Sequence, residues 1–239
     1  KDDPVARERF LNIMATQADR MARLIDDLLS LSRIELNEHI APDGCVDLVQ
    51  AVSDVIDALS PMSLETGVQI QTAMPGRGEA LVIGDRDQIV QVVQNLIDNA
   101  VKYSRGRDGS VSGSVIVECG VGVSGDAALA LRKPSASRLS LLTPDQTGEE
   151  VYVYLRINDS GPGIRREYLP RLAERFYRVE GQKSGERSGT GLGLAIVKHI
   201  MNRHRGGLAV ESLEGAGAAF IVYFPIHSKA LAVRQARLV

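Results

Sequence analysis

Apolar residues recur along the chain with two different periods, and these divide it into helical and strand-like stretches. From Arg7 to Glu35 there is neither Gly nor Pro, and Phe10, Met14, Gln17, Met21, Leu24, Leu28 and Leu31 follow one another in alternating steps of four and three. That spacing is the seam of a coiled coil or helical bundle and predicts one long helix, with the polar Gln17 able to fix register. Arg7, Arg9, Asp19, Arg23 and Asp26 lie off the seam. A lone helix cannot bury its own stripe, so a partner helix, expected from a second chain, is favoured over packing on the chain's own globular part.

Pro42, Asp43 and Gly44 then interrupt the pattern and place a boundary near residues 37–45. Val46 to Leu59 reads as a helix with Val49, Val52, Ile56 and Leu59 on one side. Val68 to Thr72 alternates like a strand, and Leu81 to Ile83 is expected as its hairpin mate. Asp85 with Gln88 resembles a capping box opening a helix to about Lys102. Val115 to Val123 and Val151 to Ile157 are strand-like, the second stopping at Asp159. Gly193 to Arg203 reads as a helix, and Leu208 to Val210 and Phe220 to Phe224 as strands. Gly, Ser, Pro and Thr are dense over 105–150, which is expected to be a loop insertion. The class is α+β, helices layered on one mixed sheet and preceded by one long helix. Residues 1–40, 45–226 and 227–239 form a helical segment, a globular domain and a tail.

Composition narrows the function classes. With 28 Lys plus Arg against 30 Asp plus Glu, the net charge of −2 offers no basic excess for a nucleic-acid backbone or anionic lipid. Trp is absent, and six Tyr with four Phe are too few for a base-stacking platform. Cys45 and Cys119 fit neither a disulfide framework nor a CxxC metal site, which favours a reducing, cytoplasmic setting. No apolar run approaches the roughly 20 residues of a membrane span. The start Lys1, Asp2, Asp3 has neither initiator Met nor signal-peptide character and reads as the interior of a longer protein.

Three segments carry candidate chemistry. Asn95, Asn99 and Lys102 fall at i, i+4 and i+7 and share one helix face, opposite Ile89, Val92, Val93, Leu96 and Ala100. Two carboxamides can present oxygen to a hard cation, and the ammonium can meet a phosphate. The run Asp159, Ser160, Gly161, Pro162, Gly163, Ile164 follows a strand directly, and its carboxylate could accept from an exocyclic amine or simply begin a tight turn. Gly189, Thr190, Gly191, Leu192, Gly193 and Leu194 open a helix, where free N–H groups and the helix dipole favour an anion. The context matches neither a dinucleotide fingerprint nor a Walker A loop, leaving a phosphate cradle of another class.

In this order, amide helix, Asp-Gly turn and Gly-rich loop resemble the N, G1 and G2 boxes of sensor histidine kinases. Glu174 to Val179, holding Phe176, Tyr177 and Arg178, is similar to that family's F box. The resemblance covers residues 46–225. The long helix resembles the second helix of the family's dimerisation bundle, and its ending, Arg33 to His39, is similar to bacterial phosphate-regulon sensors. The resemblance implies a two-layer α/β sandwich of the gyrase and histidine-kinase ATPase type that binds ATP and Mg²⁺. It implies that Asp159, with Gly161, Gly163 and Ile164 in its turn, holds adenine and that Tyr103 lies near the base or ribose. Asn95 and Asn99 would bind Mg²⁺, and Lys102 and Arg178 would meet phosphate. Gly189, Thr190, Gly191, Leu192, Gly193 and Leu194 would close over the phosphates, beside Phe176 and a lid containing Lys183 and Arg187. Gyrase-like relatives carry a Glu where this chain has Asn95, and an amide cannot take a proton from water, so transfer rather than hydrolysis is expected.

The implied partners are a second chain, in a homodimer, and the receiver domain of a response regulator, in a membrane-anchored sensor. The family's acceptor lies in a His-Glu/Asp-x-x-x-Pro segment, and none of His39, His199, His204 or His227 has that context. Two alternatives stay open at this stage, a serine kinase of the anti-sigma type and a nucleotide-binding pseudokinase.

Overall fold

A computed structural model describes residues 4–104, 113–123, 135–143, 151–179 and 189–229. Helix α1 (Pro4–Leu36), 33 residues and about 50 Å long, precedes a mixed α+β unit. That unit runs β1 (Cys45–Asp47), α2 (Leu48–Thr66), β2 (Gln69–Ala73), β3 (Leu81–Ile83), α3 (Arg86–Tyr103), β4 (Ser114–Val123) and β5 (Ser137–Leu142). It continues with β6 (Val151–Asp159), a 3₁₀ turn (Arg166–Arg171), α4 (Gly193–Arg203), β7 (Gly207–Ser212) and β8 (Ala218–Pro225). Six strands form one sheet in the order β2-β4-β6-β8-β7-β5, parallel between β2 and β4 and antiparallel elsewhere.

The apolar face of α3, Ile89, Val92, Val93, Leu96, Ile97, Ala100 and Val101, is fully sealed. It shares one core with Ile196 and Ile200 of α4, Leu48 and Val52 of α2, and Val153, Leu155 and Ile157 of β6. Because side chains alternate along β6, Arg156 points to the other face of the sheet. There it is buried and bonded to Glu211 on β7 at 2.9 Å, with Glu118 of β4 at 3.7 Å. Two carboxylates beside one guanidinium compensate a desolvation that would otherwise cost several kcal/mol.

Several expectations are corrected. Leu81 to Ile83 is not the hairpin mate of β2; it pairs antiparallel with β1, where the backbones of Gly44 and Gly84 meet at 2.8 Å. β2 instead pairs parallel with β4, a connection that needs a crossover, and α3 provides it. Helix α2 starts at Leu48, capped by the Asp47 carboxylate, and passes through Pro61 to the left-handed Gly67. The expected insertion at 105–150 contains β5, an edge strand on β7, as well as β4; stretches 105–112, 124–134 and 144–150 lie outside the described residues. Asp85 caps α3 by accepting from the N–H groups of Asp87 and Gln88, but Gln88 Oε1 has no partner, so the box is half formed.

The seam of α1 divides. Leu31 and Ile34 are buried in the core and Leu24 packs against it, whereas Phe10 (63% exposed) and Met21 (64%) project into solvent. The helix therefore packs on its own domain at its C-terminal end and presents an unpartnered stripe for the rest. Among the described residues no helix is long and apolar enough to cross a membrane.

His204, at the end of α4, is buried, and it holds two elements together. Its Nδ1 lies 2.8 Å from the Ile200 carbonyl and its Nε2 accepts from the Asp85 N–H at 3.0 Å, which requires the neutral ring. Burial lowers its pKa below the ordinary 6.5, against the pull of the Ile200 carbonyl. Below about 6.5 the unfolded chain therefore binds a proton that the fold refuses, so stability is complete above that pH and declines as pH falls through and below it. Thermal melts between pH 7.5 and 5.5 should show this fall, and His204→Gln should flatten the His-dependent part of the slope.

Candidate active site

Sealing one face of α3 turns its other face outward. Asn95, Asn99, Lys102 and Tyr103 line a cavity of about 370 Å³, together with Gln91, Gln94 and Asp98 of the same helix. Asp159, Gly163 and Ile164 close one end, and Gly189, Thr190, Gly191, Gly193 and Leu194 close the other. Arg178 and Tyr177 stand at the side, and Arg20, Arg23 and Asp27 reach in from α1.

At the sheet end, Asp159 is buried, and its Oδ1 accepts from the N–H groups of Gly161 (2.8 Å) and Ala218 (3.1 Å). These bonds fix the carboxylate at the mouth of β6. Gly163 follows with φ +71°, and an added Cβ would stand 2.2 Å from the Leu213 carbonyl oxygen, so the turn has no room for a side chain. Burial pushes the Tyr103 phenol pKa up, with Arg178 pulling the other way, so the group stays a neutral hydrogen-bond donor.

Along α3, Asn95 donates its Nδ2 to the Gln91 carbonyl at 2.9 Å. Its Oδ1 turns toward the loop, 2.8 Å from where a Cβ on Gly193 would sit. Lys102 is ion-paired with Asp98 one turn earlier, so its ammonium reaches a ligand only by sharing or leaving that carboxylate. In the loop, Gly191 has φ +77°, its carbonyl accepts from the Phe176 N–H at 2.9 Å, and an added Cβ would press on the Phe176 backbone at 2.9 Å. Thr190 Oγ1 accepts from the Leu192 N–H at 3.2 Å and donates to Asp27 at 2.6 Å.

The fold thus gathers most of the residues singled out in the sequence, with exceptions. The Leu192 side chain is fully buried in the core, leaving only its backbone for the loop. Phe176 is 56% exposed and, like Gly161, does not line the cavity. Lys183 and Arg187 lie outside the described residues. Sequence reasoning missed Gln91 and Asp98, which extend the polar face of α3 and were within reach of its helical period. It also missed Arg20 and Asp27, for which helix periodicity gave no signal because the surface they meet is remote in sequence, Thr190 lying 163 residues from Asp27.

With that geometry in place, comparison with known proteins identifies the class. The family described as histidine kinase-, DNA gyrase B-, and HSP90-like ATPase matches residues 84–228, from the turn before α3 to just past β8. The chain belongs to this family. Among its members the resemblance is to sensor histidine kinases. It is 30% identical over 217 residues to sensor histidine kinase WalK of Bacillus subtilis, covering 91% of this chain and 30% of that protein. It is 28% identical over 235 residues to phosphate regulon sensor protein PhoR of Pseudomonas aeruginosa, covering 95% and 44%. The chain therefore spans less than half of either relative. In fold it is similar to full-length ShkA in complex with AMPPNP (TM-score 0.65, 21% identity, 94% of this chain and 40% of that one). It is also similar to histidine kinase ThkA in complex with response regulator protein TrrA (TM-score 0.63, 18% identity, 95% and 53%).

Gly191→Ala should cost about 1–2 kcal/mol from the left-handed backbone alone, with more from the Phe176 contact. Urea unfolding of the whole chain should read this loss, and unaltered stability would mean that the loop is not held in this shape.

Proposed function

We propose that residues 45–226 are the ATP-binding catalytic domain of a sensor histidine kinase, and that residues 1–40 are the second helix of its dimerisation bundle. The reaction moves the γ-phosphoryl group of ATP to a bundle histidine: the bond to the ADP oxygen breaks as a phosphorus–nitrogen bond to imidazole forms. Relay to the receiver domain of a response regulator follows, in a sensor anchored to the membrane with this region on the cytosolic side. The observation that carries this reading is the cavity itself, which sets a buried carboxylate, a stripe of amides and a glycine loop at a helix N-terminus around one space. Similarity to both PhoR and WalK supports the class of sensor and leaves phosphate as one candidate stimulus.

Each part has a chemical role. The Asp159 carboxylate takes the adenine amine, while Gly163 and Ile164 border the base. Tyr103 donates from its neutral phenol near the base or ribose. Arg178 and, once free of Asp98, Lys102 take up phosphate charge, and the N–H groups of Gly191 and Gly193 face the phosphates with the α4 dipole behind them. The bond from its Nδ2 to Gln91 turns Asn95 so that Oδ1 faces the loop, a fit for a hard cation. Among the described residues no three His, Cys, Asp or Glu cluster as a metal cage, which suits a Mg²⁺ that takes its other ligands from phosphate and water. Held by Asn95 and Asn99, Mg²⁺ would neutralise charge on the transferring group.

Asp159→Asn keeps an acceptor for Gly161 and Ala218 but removes the charge, so the fold should persist while ATP affinity falls about 10-fold to 150-fold. Calorimetry reads this, and unchanged affinity would remove Asp159 from the site. Asn99→Ala should abolish the Mg²⁺-dependent part of the ATP-induced rise in melting temperature and spare the metal-free part; a wild-type shift unaffected by chelator would refute the metal role. For the bundle, burial is worth roughly 1.5–3 kcal/mol per large apolar side chain, so the stripe of α1 should drive a concentration-dependent dimer. Met14→Glu with Met21→Glu should give a monomer in sedimentation that still binds ATP.

A further inference from the structure

The cavity is not built by the catalytic domain alone. The last turns of α1 and the turn after it are clamped on it: Ser30 bonds Gln91 of α3 at 2.9 Å, Glu35 pairs with Arg175, and Glu38, just past the helix end, takes Asn202 of α4 at 2.6 Å. With Leu31 and Ile34 buried beneath, the two turns before them are held over the cavity mouth. Arg20, Arg23 and Asp27 are spaced three and four residues apart, so they share the face that overhangs. All three line the cavity. Asp27 grips Thr190, which in turn takes the Leu192 N–H, so one carboxylate on α1 sets the conformation of the glycine loop.

We infer that α1 completes the nucleotide site of its own chain: Asp27 is a positioning residue for the glycine loop, and Arg20 and Arg23 supply positive charge to the phosphate end of the ligand. This rests on the nucleotide reading above. The charge arithmetic calls for it. Among the described residues the catalytic domain offers Lys102, already paired with Asp98, and Arg178 at the phosphate end, a small cationic complement for a triphosphate. Asp27 adds a negative charge there, which the two arginines one and two turns earlier on the same face offset. Docking of α1 and the grip on phosphate are then one event, so ligands with phosphates feel the state of the helix and the nucleoside alone does not.

Calorimetric titration of the whole chain with AMPPNP plus Mg²⁺, and separately with adenosine, tests this. Arg20→Ala with Arg23→Ala should weaken AMPPNP on the order of 10-fold, as expected for loss of a charged hydrogen bond, and leave adenosine unchanged. Asp27→Ala should weaken AMPPNP and speed amide exchange at residues 189–194, and Asp27→Asn, which keeps an acceptor oxygen, should restore both. Ala is the better helix former, so such a loss would not come from melting α1. Wild-type AMPPNP affinity in the double arginine variant, or an equal loss for adenosine, overturns the charge role. Unchanged exchange in Asp27→Ala overturns the positioning role. Asp159→Asn reads the nucleotide assignment separately, since it should weaken both ligands; a wild-type chain that binds neither would remove that assignment and the inference with it.

Discussion

The sealed face of helix α3 is the constraint on which the rest depends. Seven of its side chains enter the core, and burial worth roughly 1.5–3 kcal/mol for each of the larger ones fixes the rotation of the helix about its axis. Asn95 and Asn99 each cost at most about 0.7 kcal/mol in helix propensity relative to Ala, a charge the packed face easily absorbs. Because rotation is fixed, the polar residues have a single place to face. The same helix also serves as the crossover between β2 and β4, so the sheet and the cavity wall are specified together.

Around that wall the site is assembled from elements that tie one another down. Asp159 is held by N–H groups from its own turn and from β8. The glycine loop is held from one side by Phe176, itself in a left-handed conformation, and from the other by Asp27. The cap residue of α3, Asp85, is tied through its N–H to His204 at the far end of α4. The two helices thus share a buried polar joint and a packed apolar contact, while the polar face of α3 and the N-terminus of α4 stay open to a ligand.

Much of this was legible in the sequence, for a physical reason that also marks its limit. Period and capping located α3, α4 and most strands to within a few residues because those signals are local. Pairing is not local: a three-residue run such as Leu81 to Ile83 says that a strand exists but not whether β1 or β2 receives it. The apolar pattern ended this helix at Leu59, yet α2 continues through Pro61 to Thr66 because the tertiary contacts of Met62 and Leu59 with the core outweigh one missing N–H. β5, with its Ser, Arg and Leu, carries a weak signal because an edge strand leans on a single neighbour. Asp27 and Arg20 were invisible as site residues for the same reason, since only the docked position of α1 brings them to the loop.

The position of β5 carries a consequence for how the chain comes to its shape. In sequence it lies between β4 and β6, yet in space it is at the opposite edge, beyond β8 and β7. Its one partner among the described residues, β7, ends at Ser212, so a chain emerging from the ribosome must carry Ser137 to Leu142 without that partner while some 70 further residues are made. Contacts of such long separation form late, because loop closure must precede them. An unpaired strand is open to any other edge in the meantime. The polar Ser137, Arg138 and Ser140 that made β5 hard to recognise keep this waiting strand soluble.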